Sequence, residues 1–191
     1  MLPPDALRQT PVLTGERVRL DPLTPANGDV FIRSGLDLDP EVRRLTGTHA
    51  TFTRAQLERW VATREEQGDR CDWVIVDRAT GEQVGECALN DLDAGNASAG
   101  FRIALHGLAR TGQGYGSAAA RLVLDHAFDT VGLHRVGLEV YDFNSRALRA
   151  YERVGFRREG VLREALHWDG EWHDAVLMSV LAHEHRGPAH G

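Results

Sequence analysis

The chain has 191 residues and a formal charge of −6, since 28 acidic residues outnumber 22 basic ones. Its hydrophobic fraction of 42% and charged fraction of 26% are those of a globular domain, and the length allows one core without disulfide or metal support. The acidic balance argues against nucleic-acid binding, and no apolar stretch approaches the ~20 residues that span a bilayer. We expect a single domain over residues 1–191, with loose segments at 1–11 and 185–191.

Two residue types narrow the chemistry further. All basic residues are arginine, which excludes a Walker A phosphate loop and a pyridoxal enzyme, because both need a lysine. Cys71 and Cys87 stand outside any short motif, which indicates buried thiols in a reducing compartment. With no signal peptide at the N-terminus, we expect a cytoplasmic protein. His183 and His185 alternate with Glu184, but no third ligand is spaced with them, so no metal site is expected.

The predicted elements run from the N-terminus in an order typical of an α+β domain. Alternating polarity predicts a strand at residues 17–20, Thr24-Pro25 predicts a short helix, and Thr53 with Gln56 forms a capping box that opens another helix. The later elements are strands at 73–76, 84–89 and 99–105, a helix after 116, a strand at 134–140, a helix after Asn144, and strands at 156–168 and 172–181. This order differs from the strict strand–helix alternation of a doubly wound sheet.

Three closely spaced glycines, Gly112, Gly114 and Gly116, lie between a predicted strand and an amphipathic helix. A helix start leaves backbone N–H groups unpaired and carries partial positive charge, so glycines there can cradle a pyrophosphate without lysine. The G-x-G-x-G spacing, beyond the chain midpoint, differs from the dinucleotide fingerprint. A flexible turn without a ligand is the alternative.

These residues resemble the GNAT acetyltransferases. Gly114 and Gly116 match the small positions of that family's motif [Gln/Arg]-x-x-Gly-x-[Gly/Ala], whereas its first position falls on Thr111, with Arg110 as a candidate cation one residue earlier. Residues 144–156 independently resemble the family's Asn…Tyr-Glu-x-x-Gly-Phe segment. Further similarity, at 13–20 and 168–179, is to the branch of bacterial ribosomal-protein N-terminal acetyltransferases. The resemblance covers residues 13–182.

The resemblance implies a GNAT fold: α+β, with one mixed, mostly antiparallel, twisted sheet of about seven strands and about four flanking helices. It implies acetyl transfer from acetyl-CoA, without a metal, to a primary amine of a protein N-terminus or small molecule, by direct attack in a ternary complex. The alternatives are a drug or polyamine acetyltransferase and a non-catalytic acetyl-CoA sensor. A homodimer is left open.

The resemblance also implies site residues. Tyr151 is the expected general acid, although its spacing alone suits a core residue, and Asn144 is expected to contact the pantetheine arm as well as cap its helix. Backbone groups of Ile103, Ala104 and Leu105 are expected to pair with the pantetheine amides. The remaining expected cofactor contacts are Arg110, Thr111, Gly112, Gln113, Gly114, Tyr115, Gly116, Ser117 and Arg146.

The general base is not defined by the sequence. Many relatives carry a Glu where this chain has Ser98, so Glu86, Asp91 and His106 are the candidates, with Glu86 taken as the catalytic residue and ordered water as the alternative. We expect the acceptor pocket between residues 36–60 and the last hairpin, near Trp168 and Trp172. Ordinary hairpin packing would explain the two tryptophans equally well.

Overall fold

The computed structural model describes residues 2–185 and contains one mixed sheet covered by helices on both faces. The strands are β1 (Leu13–Thr14), β2 (Val18–Pro22), β3 (Cys71–Asp77), β4 (Gln83–Asp93), β5 (Ser98–Leu105), β6 (Arg135–Tyr141), β7 (Arg157–Trp168) and β8 (Glu171–Leu181). The helices are α1 (Asp29–Leu36), α2 (Pro40–Thr46), α3 (Arg54–Ala62), α4 (Tyr115–Asp125), α5 (Ser145–Val154) and α6 (Ala182–His185).

The strand order in the sheet is β1-β2-β3-β4-β5-β6-β8-β7. Every neighbouring pair is antiparallel except β5 and β6, which are parallel. The expected mixed, mostly antiparallel α+β sheet is therefore confirmed. The described residues hold eight strands and six helices where about seven and four were expected, and β1 and α6, of two and four residues, are among the additions.

Two apolar clusters pack on the opposite faces of the sheet. The larger one joins residues of α4 and α5, such as Val123 and Leu148, to strand residues such as Trp73 and Phe101. The smaller one joins α1 and α3 to Val74 and Val76 of β3 and to Leu23, directly after β2. We call the side of the sheet with the larger cluster the α4–α5 face and the side with the smaller cluster the α1–α3 face. Because successive side chains of a strand point to opposite faces, the side chain of each strand residue lies on one of these two faces.

Three helix starts were predicted from capping residues, and two of these predictions are correct. Thr53 and Gln56 form the reciprocal capping box at α3, and the Asn144 side chain accepts from the Ala147 N–H at the start of α5. The helix expected directly after Thr24 is wrong, since α1 begins only at Asp29. The Asn27 side chain explains the delay: it accepts from the Thr24 N–H at 2.9 Å and stabilises a turn in place of a helix.

The expectation of a loose lead-in at residues 1–11 is wrong for the described part, residues 2–11. Leu7 is fully buried in the larger cluster. The Cys71 thiol donates to the Leu7 carbonyl, and the Trp73 indole N–H donates to the Pro11 carbonyl at 2.8 Å. The segment thus satisfies polar hydrogens that β3 buries, and burial raises the pKa of Cys71 to about 11, which keeps its thiol protonated.

At the other end of the chain, the expected loose segment 185–191 lies outside the described residues except for His185. That residue ends α6 and its ring nitrogen Nε2 lies 2.7 Å from Asp125. None of the helices in residues 2–185 has the length and apolar character needed to cross a bilayer.

Candidate active site

The sheet opens between its two parallel strands. β5 and β6 pair only at Ser98 with Arg135, Ala99 with Val136, and Gly100 with Gly137. Beyond these pairs β5 stays bonded to β4 as far as Leu105, and β6 stays bonded to β8. The edges of β5 and β6 that face each other are therefore unpaired, and they form a wedge that can accept an extended ligand by main-chain hydrogen bonds. Ile103, Ala104 and Leu105, the expected pantetheine contacts, lie on this open edge.

The glycine turn lies beside the wedge and begins α4. Gly112 and Gly114 have φ of 75° and 85°, and a Cβ at either would meet nothing within 4 Å. Backbone N–H groups 112–117, which include those of Gln113, Gly116 and Ser117, have no acceptor among residues 2–185. Six unpaired donors at a helix start suit a pyrophosphate.

Tyr115 contributes to this turn through its backbone only. Its side chain is buried, and its hydroxyl donates to the Asp77 carboxylate at 2.6 Å. That hydrogen bond is the main reason why the pKa of Asp77 lies below its ordinary value. The Arg17 guanidinium lies over the face of the Tyr115 ring, 4.5 Å from the ring centroid. The Tyr115 side chain therefore fixes the start of α4 to the end of β3.

The basic residues near the turn have different partners. Arg110 donates to the Glu82 carboxylate at 2.8 Å, which directs it to the loop between β3 and β4. Arg146, on the first turn of α5, donates from Nη1 to the Thr111 hydroxyl at 2.8 Å. The hydroxyl itself donates to the Leu108 carbonyl at 2.6 Å. Of the two arginines, Arg146 therefore contacts the turn through Thr111, whereas Arg110 is held by Glu82.

Tyr151 is a residue of α5, and its side chain points to the side of the sheet that α4 and α5 cover. Its ring contacts Phe101 edge-on, with centroids 6.4 Å apart, and Phe101 is the first residue of β5 beyond the last pair with β6. The hydroxyl has no hydrogen-bond partner within residues 2–185. Burial, and secondarily the nearby Cys87 thiol, raise the pKa of Tyr151 well above its ordinary value. The phenol is therefore protonated at every physiological pH and free to donate.

Glu86 lies on the opposite face of the sheet. It is the cross-strand partner of Val74 on β3 and of Ala104 on β5, so its side chain shares the α1–α3 face with Val74, beside the open part of the wedge. Its Oε2 lies 2.5 Å from Nε2 of His106. The Glu86 side chain is 28% exposed and that of His106 is 12% exposed.

Ser98 and Asp91 lie farther from the opening, whereas His106, the remaining base candidate, lies beside Glu86. Ser98 pairs with Arg135 at the closed end of the wedge. Asp91 follows Asn90 at an irregularity in the pairing of β4 with β5, has φ of 54°, and accepts from the Asn90 side chain. Of the acidic candidates, the fold therefore brings only Glu86 to the open part of the wedge.

In the region where the acceptor pocket was expected, aromatic side chains connect the α2–α3 loop to the last hairpin. His49 of that loop stacks on Trp168 with centroids 4.8 Å apart. Arg43 secures the loop by donating to the carbonyls of His49 and Ala50. Trp172 faces away, 61% exposed, and contacts His167. Of the two predicted tryptophans, only Trp168 contacts the α2–α3 loop.

Sequence reasoning missed a second group on this side. Tyr141, the last residue of β6, stacks on Phe143 with centroids 5.7 Å apart, and Phe143 contacts His173 edge-on at 4.8 Å. A Cβ at Gly47, which ends α2 with φ of 63°, would lie 2.3 Å from the Tyr141 hydroxyl. These segments are distant in sequence and meet only in the folded chain. The glycine at the end of α2 was the one local feature that could have indicated a close approach of another segment to the backbone there.

Comparisons with known proteins agree with this geometry. The acetyltransferase (GNAT) domain family matches residues 17–157. The putative ribosomal N-acetyltransferase YdaF of Bacillus subtilis is 34% identical over 109 residues, which cover 56% of this chain and 58% of that protein. The spermidine N(1)-acetyltransferase of Escherichia coli K12 is 27% identical over 124 residues, which cover 63% and 66%.

A solved structure extends the likeness in fold to 91% of this chain. The spermidine N-acetyltransferase of Vibrio cholerae, in complex with CoA and spermine, superposes with a TM-score of 0.81 over 91% of this chain and 100% of that one, at 22% identity. The chain belongs to the GNAT acetyltransferase family, as its motifs predicted. It is an acetyl-CoA-dependent N-acetyltransferase.

Proposed function

We propose that the acceptor is a primary amine of a small cationic molecule of the polyamine type. The observation that carries the proposal is the Glu86 carboxylate at the open wedge, on the face that α1–α3 cover. A carboxylate there attracts an ammonium group and can take its proton. The aromatic wall around His49 and Trp168 suits a cation, and the net charge of −6 favours its approach. The similarity to a spermidine acetyltransferase supports the same class.

In the proposed reaction, Glu86 removes a proton from the bound ammonium, and the neutral amine attacks the thioester carbonyl. The new C–N bond forms as the C–S bond breaks, and Tyr151 gives its phenolic proton to the departing thiolate. The acylated nitrogen loses its second proton, which returns through solvent to the Tyr151 phenolate, and Glu86 releases the first proton to solvent, so one proton is released for each acetyl group transferred. His106 is a positioning residue in this scheme, since its Nε2 lies 2.5 Å from the Glu86 carboxylate.

The cofactor contacts that we propose are mainly backbone groups. Residues 103–105 provide the open strand edge, and the N–H groups of residues 112–117 provide the pyrophosphate cradle. Asn144 caps α5 through its oxygen, which leaves its amide N–H groups for the pantetheine arm. Arg110 can contribute only by leaving Glu82.

We also propose that the chain acts as one acetyltransferase domain in the cytoplasm, where the free thiols of Cys71 and Cys87 would stay reduced. A homodimer through β7 is part of the proposal. This edge strand exposes Val161 and Leu162, and an unpaired edge with apolar side chains is suited to a second copy. Light scattering across a dilution series checks it, and a monomer at all concentrations would contradict it.

An amine screen tests the acceptor. Thiol release from acetyl-CoA is measured with spermidine, spermine, neutral monoamines and peptides with N-terminal alanine or serine. We expect kcat/KM for the polyamines to exceed that for the peptides by at least ~10-fold. Turnover on peptides alone would replace the polyamine by a protein N-terminus. Tight CoA binding without turnover on any amine would identify a sensor and contradict the proposal.

A further inference from the structure

A cavity of about 260 Å³ lies at the start of β3, between the N-terminal segment and the residues that follow α3. Pockets for drug-sized ligands usually measure roughly 300–1,000 Å³, so this cavity is suited to a smaller ligand. Two arginines and two hydroxyls line it beside a single carboxylate, and these polar residues are Arg8, Thr10, Thr24, Arg64 and Asp72. The lining therefore offers mainly hydrogen-bond donors.

Arg64 is the buried cation of this cavity, with only 9% of its surface exposed. Its Nε donates to the Trp60 carbonyl at 2.8 Å, and its guanidinium lies 3.8 Å from the centroid of the Trp60 ring. Its Nη2 is 3.4 Å from the Thr63 hydroxyl, and its Nη1 has no acceptor among the side chains and backbone groups that the structure describes. Because a guanidinium has five N–H groups, these contacts fix Arg64 in place and leave donors for a ligand.

The charge of Arg64 is not balanced by a carboxylate of its own. No described side chain forms an ion pair with it, and Asp72, the carboxylate of the cavity, is held by Arg70 through hydrogen bonds of 2.6 and 2.7 Å. Burial is the main reason why the pKa of Arg64 lies below its ordinary value, and the Arg70 charge lowers it further. The carboxylates of Asp72 and Asp69 act in the opposite direction without restoring it. Since a buried charge is costly unless it is paired, an anion in the cavity would offset this cost.

The cavity is separate from the glycine turn. Asp72 lies near the start of β3, whereas Asp77, which accepts from the Tyr115 hydroxyl at the start of α4, ends that strand. Five residues of a strand span roughly 16 Å. A ligand in the cavity would therefore not occupy the place where the backbone N–H groups of the turn are free.

We propose that this cavity binds a phosphate group, of inorganic phosphate or of a small phosphate monoester, with Arg64 as the main binding residue and Arg8 at the mouth. The planar fork of a guanidinium matches two oxygens of such an anion, and the threonine hydroxyls can donate to the others. Arg8 is available because its ion pair with Asp5 is 3.5 Å long and both side chains are more than half exposed. The inference is independent of the acceptor amine.

Thermal unfolding in increasing inorganic phosphate tests the site, at constant ionic strength and with CoA saturating so that the glycine turn is occupied. The melting temperature of the wild type should rise and saturate, which gives an apparent Kd. Arg64→Gln should raise this Kd by at least ~10-fold, the loss expected for a hydrogen bond between charged groups. Phosphate also stabilises proteins without binding a site, so a rise that does not saturate, or that is equal in Arg64→Gln, would overturn the proposal.

Two further variants complete the test. Arg59→Gln is the matched control, because Arg59 is exposed in the last turn of α3, and it should change the Kd less than about 2-fold. Arg8→Gln changes an exposed side chain and keeps the test decisive if Arg64→Gln does not fold. It should raise the Kd several-fold, and an unchanged Kd would contradict a phosphate bound at the mouth of the cavity.

The same measurement with other anions identifies the ligand. Glycerol 3-phosphate is compared with inorganic phosphate, and tighter binding of either one supports the proposal and distinguishes a monoester from the free ion. Acetate that binds as tightly as phosphate would assign the cavity to carboxylates and overturn the proposal. Steady-state kinetics provide a last check, since phosphate should leave the KM of acetyl-CoA unchanged at concentrations that fill the cavity. An equal rise of that KM in the wild type and in Arg64→Gln would place the phosphate in the cofactor site instead.

Discussion

Glu86 on β4 and His106, directly after β5, contact each other, with the carboxylate oxygen and the ring nitrogen 2.5 Å apart. The pair lies on the α1–α3 face, whereas Tyr151 approaches from the α4–α5 face. The open wedge is the place where both faces can be reached at once. The proposed proton acceptor and the proposed proton donor are thus held on opposite sides of the sheet, which keeps them from exchanging a proton directly.

Replacing the carboxylate tests the base. Glu86→Gln keeps an oxygen that can accept from His106 but cannot take a proton, so we expect kcat/KM for the amine to fall about 10²-fold. Asp91→Asn is the control, because asparagine tolerates the positive φ of that position. Steady-state kinetics at saturating acetyl-CoA measure both. Equal losses in the two variants would point to Asp91 or to general electrostatics.

Tyr151→Phe separates catalysis from packing. The ring and its contacts with Phe101 and Phe156 are kept, and only the unpaired hydroxyl is lost. We expect kcat to fall by about 10² or more while the Kd for CoA changes little, since the hydroxyl acts on the leaving thiolate. Single-turnover kinetics and CoA titration provide the two readings. Unchanged turnover would remove the general-acid role.

Trp168→Ala tests the acceptor wall. The indole stacks on His49, so its loss should raise the KM of the amine several-fold more than the KM of acetyl-CoA. Trp172→Ala removes an exposed indole from the same hairpin without touching the α2–α3 loop, and it should leave both constants near wild type. If both substitutions affect the two substrates alike, the tryptophans serve hairpin stability.

Stability at mildly acidic pH should depend on His126. Burial lowers the pKa of this side chain, and its Nε2 has no partner among the described residues. Below the ordinary value of 6.5 the unfolded chain takes up a proton that the folded chain refuses, so the free energy of unfolding falls as pH drops below that value. His126→Gln should flatten this fall between pH 7 and about 5.

Denaturant titration at several pH values measures the slope. His134→Gln is the control, because His134 is exposed directly before β6. This range lies above the one in which Glu159 titrates, since the Arg135 hydrogen bond lowers the pKa of Glu159 to about 2. A slope that is unchanged in His126→Gln would contradict the assignment.

Local patterns predicted the elements well but not their contacts. Thr53 and Asn144 cap helices through neighbours three residues away, so their roles were visible in sequence. The point at which β5 and β6 stop pairing could not be predicted from the sequence, because the two strands are separated by α4 and their pairing depends on the whole fold. The contact of Arg146 with Thr111 and the inward side chain of Tyr115 depend on packing in the same way.

The wedge also has a thermodynamic consequence. In the proposed binding mode, a ligand between its two strand edges completes them and acts as part of the sheet. A ligand that binds only the folded state stabilises it by about 2.7 kcal/mol at a concentration 100 times its Kd. The melting temperature of this protein should therefore rise with the concentration of CoA, and the amides of β5 should gain the most protection from hydrogen exchange.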